Sequence, residues 1–340
     1  MRQSLLSTAL LFALTFSSTA AFGKTPQIDS KAWLKDTASA TSLASPGQKP
    51  FELLIRFTTP GLKGETFTGT YHYQWINPSK WREETTIANF QELRIGGEQK
   101  FWVLSNMSTQ PIAVYQLQSM LDVLLHGLPG TASLKPAKSF SRKIDGLTAE
   151  CLLLKDKYEK LTVCRDPKTH ALLQFIPKFS DRLVVEGVKT PRTEYLSYSV
   201  FDGRQFPREL KYWDGSSPRV DAIVEKLQPL GRVNSSLFVP PSDAHEVSGC
   251  GGVLTPPQAV EAPDPTPPDG VRLPMNLTTV LEVLVGTDGK VYDPIVQGSA
   301  GKKFDREALR TALQWRFRPA TCDGQPVAVH IDIQMHLLTR

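Results

Sequence analysis

The chain has 340 residues, too long for one ordinary domain and suited to about two domains of about 100–200 residues each. An apolar fraction of 40% and a charged fraction of 21% exclude a disordered or membrane-embedded body. The net charge of +5 is spread along the chain, and its densest group, Lys155, Lys157 and Lys160, is interleaved with Asp156 and Glu159, so no nucleic-acid partner is expected.

Arg2 opens a short basic start, and Leu5 to Phe16 is apolar apart from three small hydroxyl residues. Ala21-Phe22-Gly23 follows, with small residues at the two positions a signal peptidase reads. This layout predicts a secretory signal over residues 1–23 and a periplasmic protein. A retained anchor is the alternative, although a membrane span takes about 20 apolar residues and this run is shorter. No Cys lies near the cleavage region, which argues against a lipid anchor. Residues 24–49 are polar and small, with a patch at Trp33 and Leu34, and read as a leader segment or short helix.

From Phe51 the period becomes two. Phe51, Leu53, Ile55 and Phe57 alternate with other residues, as do Phe67, Gly69, Tyr71, Tyr73 and Trp75, so each run is a strand with one face on a core. Further strands are expected around 81–95 and 100–105, with Gly96-Gly97 between them. Leu117, Met120, Leu121 and Leu124 then stand at i, i+3, i+4 and i+7, the apolar stripe of a helix over Pro111 to Leu125. Strands resume from about 137 to 229, punctuated by Gly146, Pro177, Pro191, Asp202-Gly203 and Asp214-Gly215. No βαβα order occurs, so the fold class is α+β: a long antiparallel sheet with few helices, followed by a small C-terminal unit.

Four cysteines in an exported chain point to disulfides. A two-residue hairpin near Lys157-Tyr158 would set Cys151 opposite Cys164, and the bridge would contribute roughly 3 kcal/mol. Cys250 and Cys322 remain as a second pair by elimination, although three pairings are open in principle. No C-x-x-C and no His at ligand spacing to a Cys occurs, so no zinc site and no cofactor is expected.

Residues 242–274 read as a linker, because Ser248-Gly249-Cys250-Gly251-Gly252 and the Pro-rich run Ala262 to Asp269 resist regular structure. Beyond it, Leu277 to Val285 is an apolar strand, Thr287-Asp288-Gly289-Lys290 a hairpin turn, and Val291 to Val296 the return, with Pro294 marking a bulge or edge. Asp305 stands where a helix N-cap is wanted, and Phe304, Ala308, Leu309, Ala312 and Trp315 supply the apolar side. Pro319 stops the helix and Asp323-Gly324 turns the chain. In the final strand, Val327 to Leu338, the residues Val329, Ile331, Ile333, Met335 and Leu337 face one way, and His330, Asp332, Gln334 and His336 the other. The order is β-β-α-β.

Two resemblances follow from these phrases. Asp288-Gly289-Lys290-Val291, Phe304-Asp305 with Ala308-Leu309, Trp315 to Ala320, and Asp323 to Val327, in this order and spacing, closely resemble the TonB C-terminal domain over residues 265–338. The resemblance implies a sheet edge to which a segment of a partner, such as an outer-membrane transporter, adds as a strand. The candidate edge is the last strand, with Val327, Val329, Ile331, Ile333, Met335 and Leu337; a homodimer contact is the alternative occupant. Thr266-Pro267-Pro268 stands where family members carry a Tyr-Pro phrase. The aromatic alternating strands, Tyr198 to Gly203 with Phe206-Pro207, and Ser236 to Pro241 resemble the half-barrel of LolA-type lipoprotein carriers, over residues 50–241. That resemblance implies a curved sheet able to shelter a lipid or other apolar ligand; a packed core would read the same.

No catalytic pattern stands out. His245-Glu246 lacks a second His at zincin spacing, and G-x-S-x-G and P-loop motifs are absent. Glu83 and Glu84 point to opposite faces of a strand, and His330, Asp332 and His336 read as a solvated strand face. The expectation is a non-enzymatic periplasmic binding or adaptor protein with domains at 50–241 and 275–340. The alternative is an energy transducer that keeps its N-terminal segment as a membrane anchor.

Overall fold

A computed structural model describes residues 29–61, 64–97, 100–107, 110–128, 134–155, 159–179, 191–248, 254–266 and 277–337. Residues 1–23, expected as a secretory signal, lie outside the described residues. Among the described residues, no helix is long and apolar enough to cross a membrane.

Of the two readings for 24–49, a leader segment or a short helix, the described part is a helix. Helix α1 (Ser30–Thr41) starts at Asp29, whose carboxylate accepts the N–H groups of Lys31 and Ala32 at 3.0 and 3.2 Å. Its Trp33 is 5% exposed, donates its indole N–H to Glu150 at 3.1 Å, and carries the Arg165 guanidinium 4.2 Å from its ring centre.

Five strands follow: β1 (Phe51–Pro60), β2 (Thr66–Asn77), β3 (Lys80–Ile87), β4 (Phe90–Gly96) and β5 (Lys100–Ser105). The run expected over 81–95 is thus two strands, because Ala88 takes φ 50° and turns the chain. Helix α2 (Ile112–Leu125) comes next. Seven strands complete the large sheet: β6 (Lys135–Ile144), β7 (Leu147–Lys155), β8 (Glu159–Arg165), β9 (Leu172–Phe179), β10 (Pro191–Phe201), β11 (Arg204–Asp214) and β12 (Ser217–Pro229). A thirteenth, β13 (His245–Ser248), comes from the linker.

The sheet order is β13-β5-β4-β3-β2-β1-β12-β11-β10-β9-β8-β7-β6. Two meanders, β1–β5 and β6–β12, are joined in the middle where β1 pairs antiparallel with β12. The chain must therefore cross from one end of the curved sheet to the other between β5 and β6, and α2 lies in that crossing. Its stripe of Leu117, Met120, Leu121 and Leu124 is at most 1% exposed. It shares one core cluster with the inward residues of β1 and β2, where Phe51, Leu53, Ile55, Phe57, Tyr71, Tyr73 and Trp75 are equally buried. Burying each such side chain contributes roughly 1.5–3 kcal/mol. A side chain at Gly69 would run into the Phe57 ring at 2.5 Å, so this strand position needs glycine. Phe67, the first member of the expected alternation, is 39% exposed at the open end of β2.

Cys151 pairs in register with Cys164 across β7 and β8, and the two are disulfide-bonded. Cys322 is also disulfide-bonded, and Cys250 lies outside the described residues. The Cys151–Cys164 bridge belongs to a second, smaller apolar cluster with Ile144, Ala149 and Leu173, on the face opposite Leu152 and Val163.

The linker is more structured than its composition suggests. Besides β13, it supplies β14 (Leu254–Thr255) and β15 (Gln258–Glu261). The C-terminal unit then runs β16 (Leu277–Val285), β17 (Val291–Gly298), α3 (Lys302–Ala312), β18 (Arg316–Arg318), β19 (Ala320–Cys322), β20 (Gln325–Val327) and β21 (Val329–Leu337). β14 pairs with β19 and β15 with β18, so open ladder groups of the C-terminal unit claim linker backbone despite its prolines.

Candidate functional site

The C-terminal sheet has the order β17-β16-β21, all antiparallel. β16 is central because its run of β-branched and apolar residues is covered on both sides, and it pairs with β21 over nine positions, from Leu277 opposite Leu337 to Val285 opposite Val329. On the front face, Ala308 and Ala312 of α3 are fully buried against Leu281, Val283, Ile333 and Met335. Two alanines at i and i+4 allow the helix axis to approach the sheet closely.

Asp305 is not the N-cap expected. Gly301, at φ 114°, holds that position, and Asp305 sits in the first turn of α3. Its carboxylate reaches back to accept the Ala300 N–H at 3.0 Å and the hydroxyls of Thr279 and Ser299 at 3.2 and 2.5 Å, tying helix to strand. The Asp288-Gly289 turn behaves as read: Gly289 takes φ +75°, its carbonyl accepts the Phe317 N–H at 2.8 Å, and a Cβ there would stand 2.0 Å from the Phe317 carbonyl oxygen.

Among the described strands β21 pairs with β16 alone, so its outer backbone groups face away from the sheet. The six residues expected along this edge divide. Ile333 and Met335 are buried in the front-face core, and Val329 and Ile331 are half-buried beside it. Leu337 ends the strand opposite Leu277. Val327 belongs instead to β20, opposite Ala320, because the buried Ala328 breaks the ladder between the two strands. His330, Asp332, Gln334 and His336 are exposed on the back face. His330 lies 3.2 Å from Glu282, and His336 shares a hydrogen bond of 3.0 Å with Thr278. Among the described residues, no three His, Cys, Asp or Glu side chains are grouped to hold a metal.

The back face carries a contact that the sequence did not announce. Gln297 of β17 donates to the Tyr115 hydroxyl of α2 at 2.5 Å and to Glu282 at 2.6 Å. The His330 hydrogen bond, and then this network, hold the Glu282 carboxyl below its ordinary range, while partial desolvation by the surrounding chain, and then the Glu282 charge, push the surface carboxyl of Asp332 up. Nearby, Val103 of β5, Val247 of β13, Leu284 and Ala328 form one buried apolar cluster. Leu284 was the available signal: it is a large apolar residue on the same face of β16 as Thr278 and Glu282. Tyr115 was the other, since it falls off the apolar stripe of α2.

A cleft of about 450 Å³ opens along this seam, lined by His245, Glu246, Asp288, Tyr292 and Pro326 among others. Deeper in the junction, Asp293 of β17 is pushed up to about 6, first by burial and then by Glu92, against the pull of Arg94 and His330. In the large sheet, Glu83 is pushed up to about 7 by burial beneath α2. It accepts a hydrogen bond of 2.7 Å from Gln118, which also donates to Glu92 at 2.9 Å. Glu84 points the other way, as read, and pairs with Arg82 and His72.

In sequence, no curated protein matches the chain. Solved structures similar in fold include a LolA superfamily protein from Nitrosomonas europaea, 14% identical, covering 63% of this chain and 99% of its own, with a TM-score of 0.42. An outer membrane lipoprotein-sorting protein domain from Vibrio parahaemolyticus is 10% identical, covers 61% of this chain and 94% of its own, and scores 0.41. The MucA/MucB complex of Pseudomonas aeruginosa is 11% identical, covers 86% of this chain and 99% of that chain, and scores 0.26. Residues 271–336 match the family model described as the Gram-negative bacterial TonB protein C-terminal.

Proposed function

We propose that the protein is an exported, non-catalytic adaptor of the cell envelope. Its C-terminal domain docks an extended segment of a protein partner by strand addition to β21, an outer-membrane transporter segment being the class that the family suggests. The observation carrying this reading is that β21, in a domain that matches that family, ends its sheet and pairs on one side alone among the described strands. Main-chain hydrogen bonds along such an edge supply affinity, and side-chain positions alternate for specificity. The residues that would flank an added strand are Ile331 and Ile333 on one face and Asp332 and Gln334 on the other. The large sheet serves in this reading as a packed support, since the α2 stripe lies in one buried cluster with its inward residues; an apolar ligand held by the large sheet is the second reading.

The test is amide hydrogen exchange on the full chain, with synthetic extended peptides taken from outer-membrane transporters. Slowed exchange confined to β21, abolished when the same peptide is N-methylated, is the expected result. Peptide binding without protection of β21 would reject strand addition at this edge. N-terminal sequencing of the mature protein tests export: a start near residues 21–24 is expected, and an intact N-terminus favours an anchored transducer.

A further inference from the structure

The large sheet has two ends, and the chain treats them differently. At one end the linker adds β13 antiparallel to β5, with Val247 opposite Phe101 and buried to 5% exposure. The Glu246 carboxylate of this added strand lies 2.9 Å from Lys100 on the receiving strand. An extended segment with a carboxylate set against a lysine is thus how this sheet accepts a further strand.

The other end is β6, which pairs only with β7 among the described strands. It is ten residues long, and all of it from Lys135 to Lys143 is exposed except the half-buried Phe140. It carries Lys135, Lys138, Arg142 and Lys143 and no acidic residue. Among the described residues, no carboxylate lies within ion-pair distance of these four. Arg142 donates to the Gln174 side chain at 2.6 Å, and Lys143 to the Gly146 carbonyl at 3.4 Å. The Lys138 ammonium and Arg142 guanidinium lie 5.9 and 5.6 Å from the Phe140 ring centre, so the three share one face of the strand.

Lysines on an edge strand keep copies of a chain from pairing, because two such edges meeting would set cation against cation. The same charges favour an incoming strand of opposite sign. An edge of this length therefore rejects its own kind and selects a complementary one. The spacing is specific: two cations four positions apart flank an aromatic ring, which fits a segment with acid, apolar and acid at alternate positions.

We propose that β6 is a second strand-addition site, which accepts an extended segment of a partner protein bearing acidic side chains at alternate positions. This site is independent of the β21 edge, and its failure leaves that reading untouched.

The test uses the full chain and a ten-residue peptide with glutamates at alternate positions around one central leucine. Three comparisons accompany it: the peptide with lysines for glutamates, the glutamate peptide N-methylated along its backbone, and phosphatidylglycerol vesicles. The glutamate peptide is expected to bind at least tenfold more tightly than the lysine peptide and to slow exchange of β6 amides. N-methylation should abolish both effects. The double variant Lys138→Glu, Arg142→Glu, checked for its fold by circular dichroism, should reverse the preference toward the lysine peptide. Equal affinity for both peptides, undiminished binding of the N-methylated form, or protection away from β6 would each overturn the proposal. Vesicle binding without peptide binding would also overturn it, and would assign the charges to a lipid surface.

Discussion

The large and small sheets close their surfaces by different means. The large sheet builds its core with chain from its own body: the leucines of α2 share one buried cluster with Phe51, Tyr71 and Trp75, and α1 joins it through Trp33. The C-terminal sheet covers its front face with α3 but borrows the rest. Its short strands β18 and β19 take β15 and β14 from the linker, and its back face meets Tyr115 of α2, Val103 of β5 and Val247 of β13. The difference teaches where binding can happen without unfolding anything. A packed core admits a ligand only at the expense of its packing, whereas an edge such as β21 offers backbone groups already formed.

The sharpest way to break this comparison is to hollow the packed core. Leu121 is 1% exposed in α2. Leu121→Ala should cost about 2–5 kcal/mol in urea unfolding, the range for a leucine whose neighbours relax only partly. A loss below about 1 kcal/mol would mean that the core tolerates a void, and would favour an apolar chamber as a reading.

The buried carboxyl of Glu83 gives the next effect. Its ordinary value of 4.5 is raised to about 7 by burial, opposed by Arg94 and Gln118 and reinforced by Glu92 and Asp122. A raised acid keeps its proton in the folded protein while the unfolded chain releases it. Its contribution is therefore fully present below pH 4.5 and lost as pH rises through about 7. The loss is on the order of 3 kcal/mol. Glu83→Gln should flatten this part of the stability–pH curve while leaving the low-pH plateau nearly unchanged. An equally steep curve in the variant would move the proton to Asp293 or Asp122.

The disulfide of β7 and β8 is expected to count for a similar or smaller amount. Replacing both Cys151 and Cys164 by Ala should cost about 3 kcal/mol on the chain-entropy account, read as a lower thermal midpoint. An unchanged midpoint would show that the surrounding cluster of Ile144, Ala149 and Leu173 holds this hairpin alone.

What the sequence revealed and concealed follows the same division between self-made and borrowed structure. Period-two alternation from Phe51 and the leucine stripe of α2 were legible because each element carries its own burial pattern. The turn at Asp288-Gly289 was legible because positive φ selects glycine. The pairing of β1 with β12 was not, since nothing in either strand names a partner about 170 residues away. The strands of the linker were hidden for the opposite reason to propensity: Leu254-Thr255 and Gln258 to Glu261 become strands because β19 and β18 present unpaired groups. Asp305 was misplaced by a rule that reads caps locally, while its carboxylate is occupied by Thr279 of β16. Of the candidate edge, five of six residues fall on β21, and Val327 falls short of it because Ala328 turns inward to the seam.

The smallest effect tests whether the borrowed cover matters. Tyr115→Phe removes one hydroxyl that accepts from Gln297 at 2.5 Å and leaves the ring in place. A single hydrogen bond of this kind contributes about 1 kcal/mol net. If α2 supports the back face, the loss should appear as faster amide exchange in β16 and β17, with the exchange of β1 and β2 unchanged. Exchange that accelerates equally in both sheets would mean that the two domains unfold as one cooperative unit. No change in either would leave the apolar cluster of Val103, Val247, Leu284 and Ala328 as the whole of the support, and Val247→Ala would then be the variant that separates them.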